Sequence, residues 1–212
     1  MASPVDIDLF MDPFHTRSTL LVRIRNPDDH ASWVEFVDLY MPLLHAYAFK
    51  LGFQDADSAD AAQETLLRVA QAISAENYRR EKGSFRGWLF TIHRNTLRLL
   101  ATKSKRQPAG SGDTDMVRLL QEQPDREELD LWETEYRTRL FHWAAQKTRQ
   151  WFHATTWDAF WRTSVENQSV TTVANDLGLS VGAVYIARSR VLSKIREEIQ
   201  VAESWYDQPE TH

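Results

Sequence analysis

The stretch between residues 79 and 106 is strongly basic and is interleaved with aromatic residues. Its nine Lys and Arg outnumber a single acid, Glu81; they are Arg79, Arg80, Lys82, Arg86, Arg94, Arg98, Lys103, Lys105 and Arg106. Tyr78, Phe85 and Trp88 lie among these charges. Basic groups attract phosphates, and aromatic rings stack on unpaired bases. The pattern therefore predicts a surface that holds single-stranded nucleic acid.

The same residues have a purely structural alternative. Arg94, Arg98 and Lys105 recur at i, i+4 and i+11, which on a helix places them on one side. That side could be a solubilising face above a core that contains the aromatic residues. For Phe85 the core position is favoured, whereas for Trp88 the core and the base-stacking role both stay open.

A second row of residues carries the opposite charge. Asp57, Asp60 and Glu64 are spaced i, i+3 and i+7, with Gln63 beside them. Such a face repels DNA and attracts a basic protein surface, so it indicates a protein-binding site. The alternative is an exposed acidic face in which Glu64 pairs with Arg68 at i+4.

Residues 169–190 have the pattern of two short helices joined by a tight turn. Ser169 and Ser180 are typical N-cap residues, and Gly178 supplies a positive φ between them. This is the pattern of a helix-turn-helix, whose second helix enters the DNA major groove, although a helical hairpin that binds nothing remains the alternative. Arginine suits a guanine edge or a phosphate, and a small alanine permits contact with a thymine methyl group. The residues predicted to face outward are Ala183, Tyr185, Ile186, Arg188, Ser189 and Arg190.

These residues require helices to position them, and the hydrophobic spacing predicts an all-α protein. Apolar residues recur at three- and four-residue steps, and no segment shows the sustained alternation of a strand. Pro42 is expected to kink or split the first helix, Gly52 to end it, and Leu99 to face inward. The helical patterns cover residues 33–51, 57–73 and 85–99 and resume at 129.

The segment between the helical patterns is acidic. Residues 113–135 contain nine acids and only two basic residues, Arg118 and Arg126, and residues 107–112 are typical of a linker. We therefore predict two small helical domains joined by a flexible, solvated tether. The expected division is a flexible N-terminus at 1–17, a first domain at 18–106, an acidic linker at 107–128, a helix-turn-helix domain at 129–200 and a tail at 201–212.

Composition excludes several classes of protein. Among 212 residues there is no cysteine, and the seven histidines show no metal-ligand spacing, so we expect no metal and no cofactor. The chain also lacks a phosphate-binding glycine loop and the other common catalytic motifs, so we expect no enzyme. A signal peptide and an apolar run of roughly 18 residues are both missing, which predicts a cytoplasmic protein without a membrane span.

Four segments together resemble extracytoplasmic function (ECF) RNA polymerase sigma factors. They are residues 33–40, 57–64 and 83–95 and the helix-turn-helix pattern at 168–190, in the order in which that family has them. The resemblance extends over about residues 18–200. It implies a sigma domain 2 followed by a sigma domain 4, without catalytic activity.

The resemblance also implies roles for particular residues. Core RNA polymerase would bind, through its clamp coiled coil, the helix that carries Asp57, Asp60, Gln63 and Glu64. The −10 element, opened to single strands, would contact Asn77, Tyr78, Arg79, Lys82, Trp88, Arg94, Asn95 and Arg98. The double-stranded −35 element would contact Ser180, Ala183, Tyr185, Arg188, Ser189 and Arg190. The helices before this last group would contact the polymerase flap, and an anti-sigma factor is a further candidate partner.

Two positions depart from the family pattern. The family usually has Thr where Ala183 stands and a basic residue where Tyr185 stands, so an unusual promoter sequence is expected. The rival hypothesis is a stand-alone helix-turn-helix regulator that dimerises on palindromic DNA. That hypothesis accounts for the C-terminal pattern but gives no role to residues 83–106 or to the acidic helix.

Overall fold

A computed structural model describes residues 20–26, 28–74, 84–104, 120 and 123–204. Over these ranges the regular structure is entirely helical, which confirms the predicted all-α class. The helices are α1 (Leu20–Arg23), α2 (His30–Lys50), α3 (Asp55–Ser74), α4 (Phe85–Ser104), α5 (Arg126–Arg149), α6 (Ala154–Ser164), α7 (Val170–Leu177) and α8 (Val181–Ser204).

The chain divides into two units, and the N-terminal one comprises Ser18–Arg139. Its core lies between α2, α3 and α4 and is rich in aromatic rings. Phe85 of α4 packs edge-on against Phe36 and Tyr40 of α2, with ring centroids 5.9 and 5.7 Å apart. Each such pair contributes about 0.5–1.5 kcal/mol beyond its buried area. This packing fixes the positions of α3 and α4, which carry two of the predicted sites.

Helix α2 begins after a capping aspartate and continues without a break through Pro42. Asp29 is the N-cap, and its carboxylate accepts a hydrogen bond from the Ser32 amide at 3.0 Å. Gly52, with φ of 100°, follows the helix as predicted. Pro42 does not split it, because the adjacent Leu43 and Leu44 are buried and their packing compensates for the hydrogen bond that proline removes.

Helix α4 corrects the prediction for Leu99, which is exposed rather than inward. The buried stripe consists of Phe85, Leu89, His93 and Leu97, each four residues after the last. Leu99 lies two positions beyond Leu97 and therefore points to the other side of the helix.

The boundary between the two units lies later than expected. The predicted second domain begins at residue 129, whereas the structure divides the chain between Arg139 and Leu140. Residues 126–139 of α5 therefore belong to the N-terminal unit, because their side chains contact α2 and α4. The predicted linker residues 107–119, 121 and 122 lie outside the described part of the chain, as do residues 1–17 and 205–212.

The unit that begins at Leu140 contains α6, α7 and α8. Ala159 of α6, Val173 and Ala174 of α7, and Val184 and Ala187 of α8 form one buried cluster. The small alanines allow the three helices to approach closely. This cluster fixes α8, which carries the third predicted site, relative to α7.

Candidate nucleic-acid and protein interfaces

The acidic face predicted on α3 is present on the surface. Asp60, Gln63 and Glu64 are exposed, and Asp57 is half-buried. The opposite side of the helix is buried in the core of the N-terminal unit. Leu67 extends the exposed row, at i+7 from Asp60 and i+4 from Gln63, and is itself largely exposed. Leu67 was not among the residues predicted from the sequence, although its spacing from Asp60 was sufficient to identify it.

The ion pair considered in the structural alternative also forms. Arg68 Nε donates to Glu64 Oε1 at 2.7 Å, and both side chains are more than two-fifths exposed. An exposed pair at this spacing contributes only about 0.3–0.5 kcal/mol, so a partner with a stronger attraction could displace it. The acidic face and the ion pair are therefore compatible.

On α4, the predicted nucleic-acid residues fall into two groups. Asn95 and Arg98 are exposed on the outer side of the helix. Trp88 is half-buried, with its ring 5.5 Å from the ring of Phe85, which is fully buried. Trp88 thus packs on the core with one side and is accessible on the other. The predicted residues Asn77, Tyr78, Arg79, Lys82 and Lys105 lie outside the described residues.

Arg94 does not join Arg98 in an exposed basic stripe. Its Nε donates to Glu128 Oε1 at 2.7 Å and its Nη2 to Glu128 Oε2 at 3.2 Å, while Nη1 donates to the carbonyl oxygen of Leu120 at 3.1 Å. The Arg94 side chain is only 13% exposed and that of Glu128 5%. The stripe prediction is corrected, since an internal carboxylate binds this guanidinium through two hydrogen bonds.

Glu128 belongs to a row of α5 residues that contacts α2 and α4 of the same unit, and we call residues 126–139 the acidic clasp. Glu128 also accepts a hydrogen bond from Tyr47 Oη at 2.7 Å. Burial, and then this bond, raise the pKa of the Tyr47 phenol above its usual value. Glu135 pairs with Lys50 of α2, and Glu133 accepts from Arg86 Nη1 of α4 at 3.2 Å.

Aromatic packing completes the clasp. Trp132 is buried, and its ring lies 5.2 Å from that of Tyr47 and 5.3 Å from that of Phe90. The guanidinium of Arg86 lies 4.7 Å from the centre of the Tyr136 ring, within the range of a cation–π interaction. The clasp therefore combines buried apolar area with paired charges.

His93 lies beneath the clasp and is a core histidine. Its ring is 6.4 Å from that of Trp132, and it is fully buried. Nε2 lies 2.9 Å from the carbonyl oxygen of Leu44, which can only accept, and Nδ1 lies 2.8 Å from Thr65 Oγ1. Burial lowers the pKa of His93 to about 3, so its imidazole is neutral at physiological pH.

The C-terminal helices have the predicted caps and turn. Ser169 Oγ accepts from the Thr172 amide and Ser180 Oγ from the Ala183 amide, each at 3.1 Å. Gly178 has φ of 64° and ends α7. The axes of α7 and α8 turn by 102° across the three residues between them. Two helices at this angle with a short glycine turn are typical of a helix-turn-helix.

The outward side of α8 differs from the prediction at Arg188. Arg188 is half-buried; its Nε donates to Ser164 Oγ of α6 at 3.1 Å, and its guanidinium lies 5.8 Å from the Tyr185 ring. Ala183 is half-buried as well. The exposed residues of the first turns are Ser180, Val181, Gly182, Tyr185, Ile186, Ser189 and Arg190.

The described residues show neither a metal-binding cluster nor a single helix long and apolar enough to cross a membrane. No three His, Cys, Asp or Glu side chains there are grouped closely enough to hold a metal ion. Helices α7 and α8 meet the length and composition criteria only as a pair, across their 102° bend.

Comparison with known families identifies a matching model. Residues 36–107, which include most of α2 and all of α3 and α4, match the family model of Sigma-70 region 2. The match covers 72 of the 212 residues, about a third of the chain, and includes both the acidic face of α3 and the outer side of α4. None of the curated proteins is significantly similar to the chain.

Proposed function

We propose that the chain, whose residues 36–107 match Sigma-70 region 2, is a two-domain sigma factor of the ECF type. Region 2 supports a role in RNA polymerase binding and promoter recognition, and the family consists of non-enzymatic initiation factors. The specific proposal is that the protein joins core polymerase and directs it to promoters through a −10 and a −35 element.

The exposed acidic face of α3 is proposed to bind the polymerase clamp. Asp60, Gln63 and Glu64 point into solvent within the matched region, and Leu67 adds an apolar contact at the end of the row. Acidic side chains around an apolar residue suit a basic protein surface that also has apolar groups. This exposed face within a region 2 match is the observation that carries the proposal.

The outer side of α4 is proposed to hold the opened −10 element. Asn95 and Arg98 are exposed there and can contact bases and phosphates, and the accessible side of Trp88 can stack on an unpaired base. Arg94 is left out of this set, since Glu128 binds it. The predicted residues 77–79 and 82 remain part of the proposal from their sequence alone.

Helix α8 is proposed to read the −35 element as duplex DNA. Its bend of 102° from α7, the glycine turn and the exposed first turns support insertion into the major groove.

Helices α5 and α6 are proposed to contact the polymerase flap. The protein would act in the cytoplasm, with an anti-sigma factor as a candidate regulator.

Polymerase association tests the proposal directly. Asp60→Arg places a cation on the α3 face and should abolish retention of core polymerase by the tagged protein, together with run-off transcription. Asp38→Arg reverses an exposed acid on α2, in the same unit but on a different helix, and is the matched control. If the Asp60 variant retained polymerase as well as the control does, the α3 face would not be the binding site.

A further inference from the structure

The exposed side of α8 is unusually apolar for a helix that would lie against DNA. Val181, Tyr185 and Ile186 have relative exposures of 43%, 55% and 56%. They are spaced i, i+4 and i+5, which places them on one side of the first two turns. Val184 and Ala187, on the other side, belong to the buried cluster. The exposed row is therefore not an extension of the core.

Polar groups that could read bases are held away from this row. Arg188 turns inward to Ser164 Oγ, and Ala183 has no hydrogen-bonding side chain. Ser189 and Arg190 are exposed but follow about one turn later, where the helix leads away from its N-terminal end. The first two turns thus present mainly methyl groups and an aromatic ring.

One feature of the major groove matches such a surface. Each thymine places its C5 methyl group there, and apolar side chains are its usual contacts. Gly182 lies in the middle of the row and adds no side chain; a Cβ built there would meet only Ser180 Oγ, at 3.9 Å. The helix backbone can therefore approach the base edges closely. Arg190, near the row, supplies a positive charge for a phosphate.

We infer that α8 selects thymines in the upstream promoter element through contact of Val181, Tyr185 and Ile186 with their C5 methyl groups. The inference rests on the proposed function of α8 as the reader of that element. It explains how a helix without the family's usual Thr at 183 and basic residue at 185 recognises DNA. Specificity would come from buried apolar area rather than from side-chain hydrogen bonds to bases.

The experiment uses the full-length protein assembled with its core polymerase. A duplex library is randomised over the upstream window, with the downstream promoter half held constant, and sequences bound by the holoenzyme are selected. Selected duplexes are then remade with deoxyuridine in place of thymidine in the window, which removes only the methyl groups. Binding should weaken about fourfold for each contacted methyl group, the factor expected for one buried methyl. Deoxyuridine in the spacer should have no effect.

Protein variants assign the effect to the row. With Ile186→Ala, the loss on deoxyuridine substitution should shrink at one thymine position, because the side chain that contacts its methyl group is gone. Val34→Ala, an equally exposed apolar residue on α2, is the control and should keep the full loss. Thermal melting of both variants checks that the fold is intact, as expected for side chains that lie outside the core.

The outcomes separate this inference from the proposed function. If the holoenzyme selects an upstream sequence but binds the thymidine and deoxyuridine duplexes equally, methyl recognition is overturned while α8 remains a candidate reader. If no upstream sequence is selected at all, the role of α8 in promoter recognition fails, and the inference fails with it. A loss with deoxyuridine that Ile186→Ala leaves unchanged at every thymine would overturn the assignment of this side chain.

Discussion

Two helices of the N-terminal unit, α3 and the clasp half of α5, carry rows of acidic residues that face opposite environments. On α3, the carboxylates of Asp60 and Glu64 are exposed. In the clasp, Glu128 and Glu135 are buried, and their carboxylates accept hydrogen bonds from Tyr47, Arg94 and Lys50. The same residue types thus form an exposed surface on α3 and buried, hydrogen-bonded ion pairs in the clasp.

The difference follows from the partners that each row meets. A buried carboxylate loses its hydration and is tolerated only when a charged group and hydrogen bonds replace the water. Arg94 and Tyr47 replace that water for Glu128. An exposed carboxylate needs no partner and stays available for another protein. Charge alone therefore does not identify a docking surface; exposure and pairing do.

The largest expected effect comes from breaking the pair inside the clasp. Glu128→Ala leaves the guanidinium of Arg94 buried without its carboxylate, which should lower the free energy of unfolding by about 3–5 kcal/mol. Urea denaturation followed by circular dichroism measures this change. A second variant, Arg94→Leu combined with Glu128→Leu, should recover part of the loss, because it removes both charges.

Asp130→Ala is the matched control within the same helix. Asp130 is 73% exposed, and its contact with Arg126 is 3.8 Å long. Its removal should change the free energy of unfolding by less than about 0.5 kcal/mol. Equal effects of Glu128→Ala and Asp130→Ala would contradict the distinction between buried and exposed acids.

Low pH should lower the free energy of unfolding of the N-terminal unit through His93, which lies beneath the clasp. Its pKa is lowered to about 3 in the folded protein, whereas an unfolded histidine has a pKa of about 6.5. Below about pH 6.5 the unfolded chain binds a proton that the folded chain does not. The free energy of unfolding should therefore fall as pH falls toward 3, by at most about 1.4 kcal/mol per pH unit.

The measurement is a series of urea denaturations between pH 7.5 and 4.5, with His93→Gln as the comparison. The variant lacks the titrating imidazole and should show a smaller slope over this range. Parallel slopes for the two proteins would mean that other groups cause the acid sensitivity.

Local signals in the sequence were sufficient for the exposed face of α3 and for the turn between α7 and α8. The spacing of Asp60, Gln63 and Glu64 placed them on the exposed side, and the caps at Ser169 and Ser180 with Gly178 between them defined the turn. These features depend on residues within a few positions of one another, which helical periodicity describes directly.

The clasp was not predicted, because its contacts join residues far apart in the chain. Arg94 and Glu128 are separated by 34 positions, and each was attributed to the surface from its local pattern. A signal was present nonetheless: Glu128, Trp132 and Glu135 are spaced i, i+4 and i+7, which puts two acids and a tryptophan on one side of α5. A tryptophan between two acids on one helix side indicates a packed face more than a solvated tether.

The smallest expected effect on stability concerns the ion pair on the α3 face. Glu64→Gln removes a carboxylate that is 48% exposed and paired with Arg68. The free energy of unfolding should change by no more than about 0.5 kcal/mol, since exposed i,i+4 pairs contribute little. Retention of core polymerase should nevertheless weaken, because the carboxylate belongs to the proposed docking face.

Arg68→Gln breaks the same pair but leaves Glu64 charged. It should therefore match Glu64→Gln in stability and retain polymerase at least as well as the unaltered protein. Equal losses of polymerase binding in the two variants would show that the pair, rather than the free acidic face, is what the partner recognises.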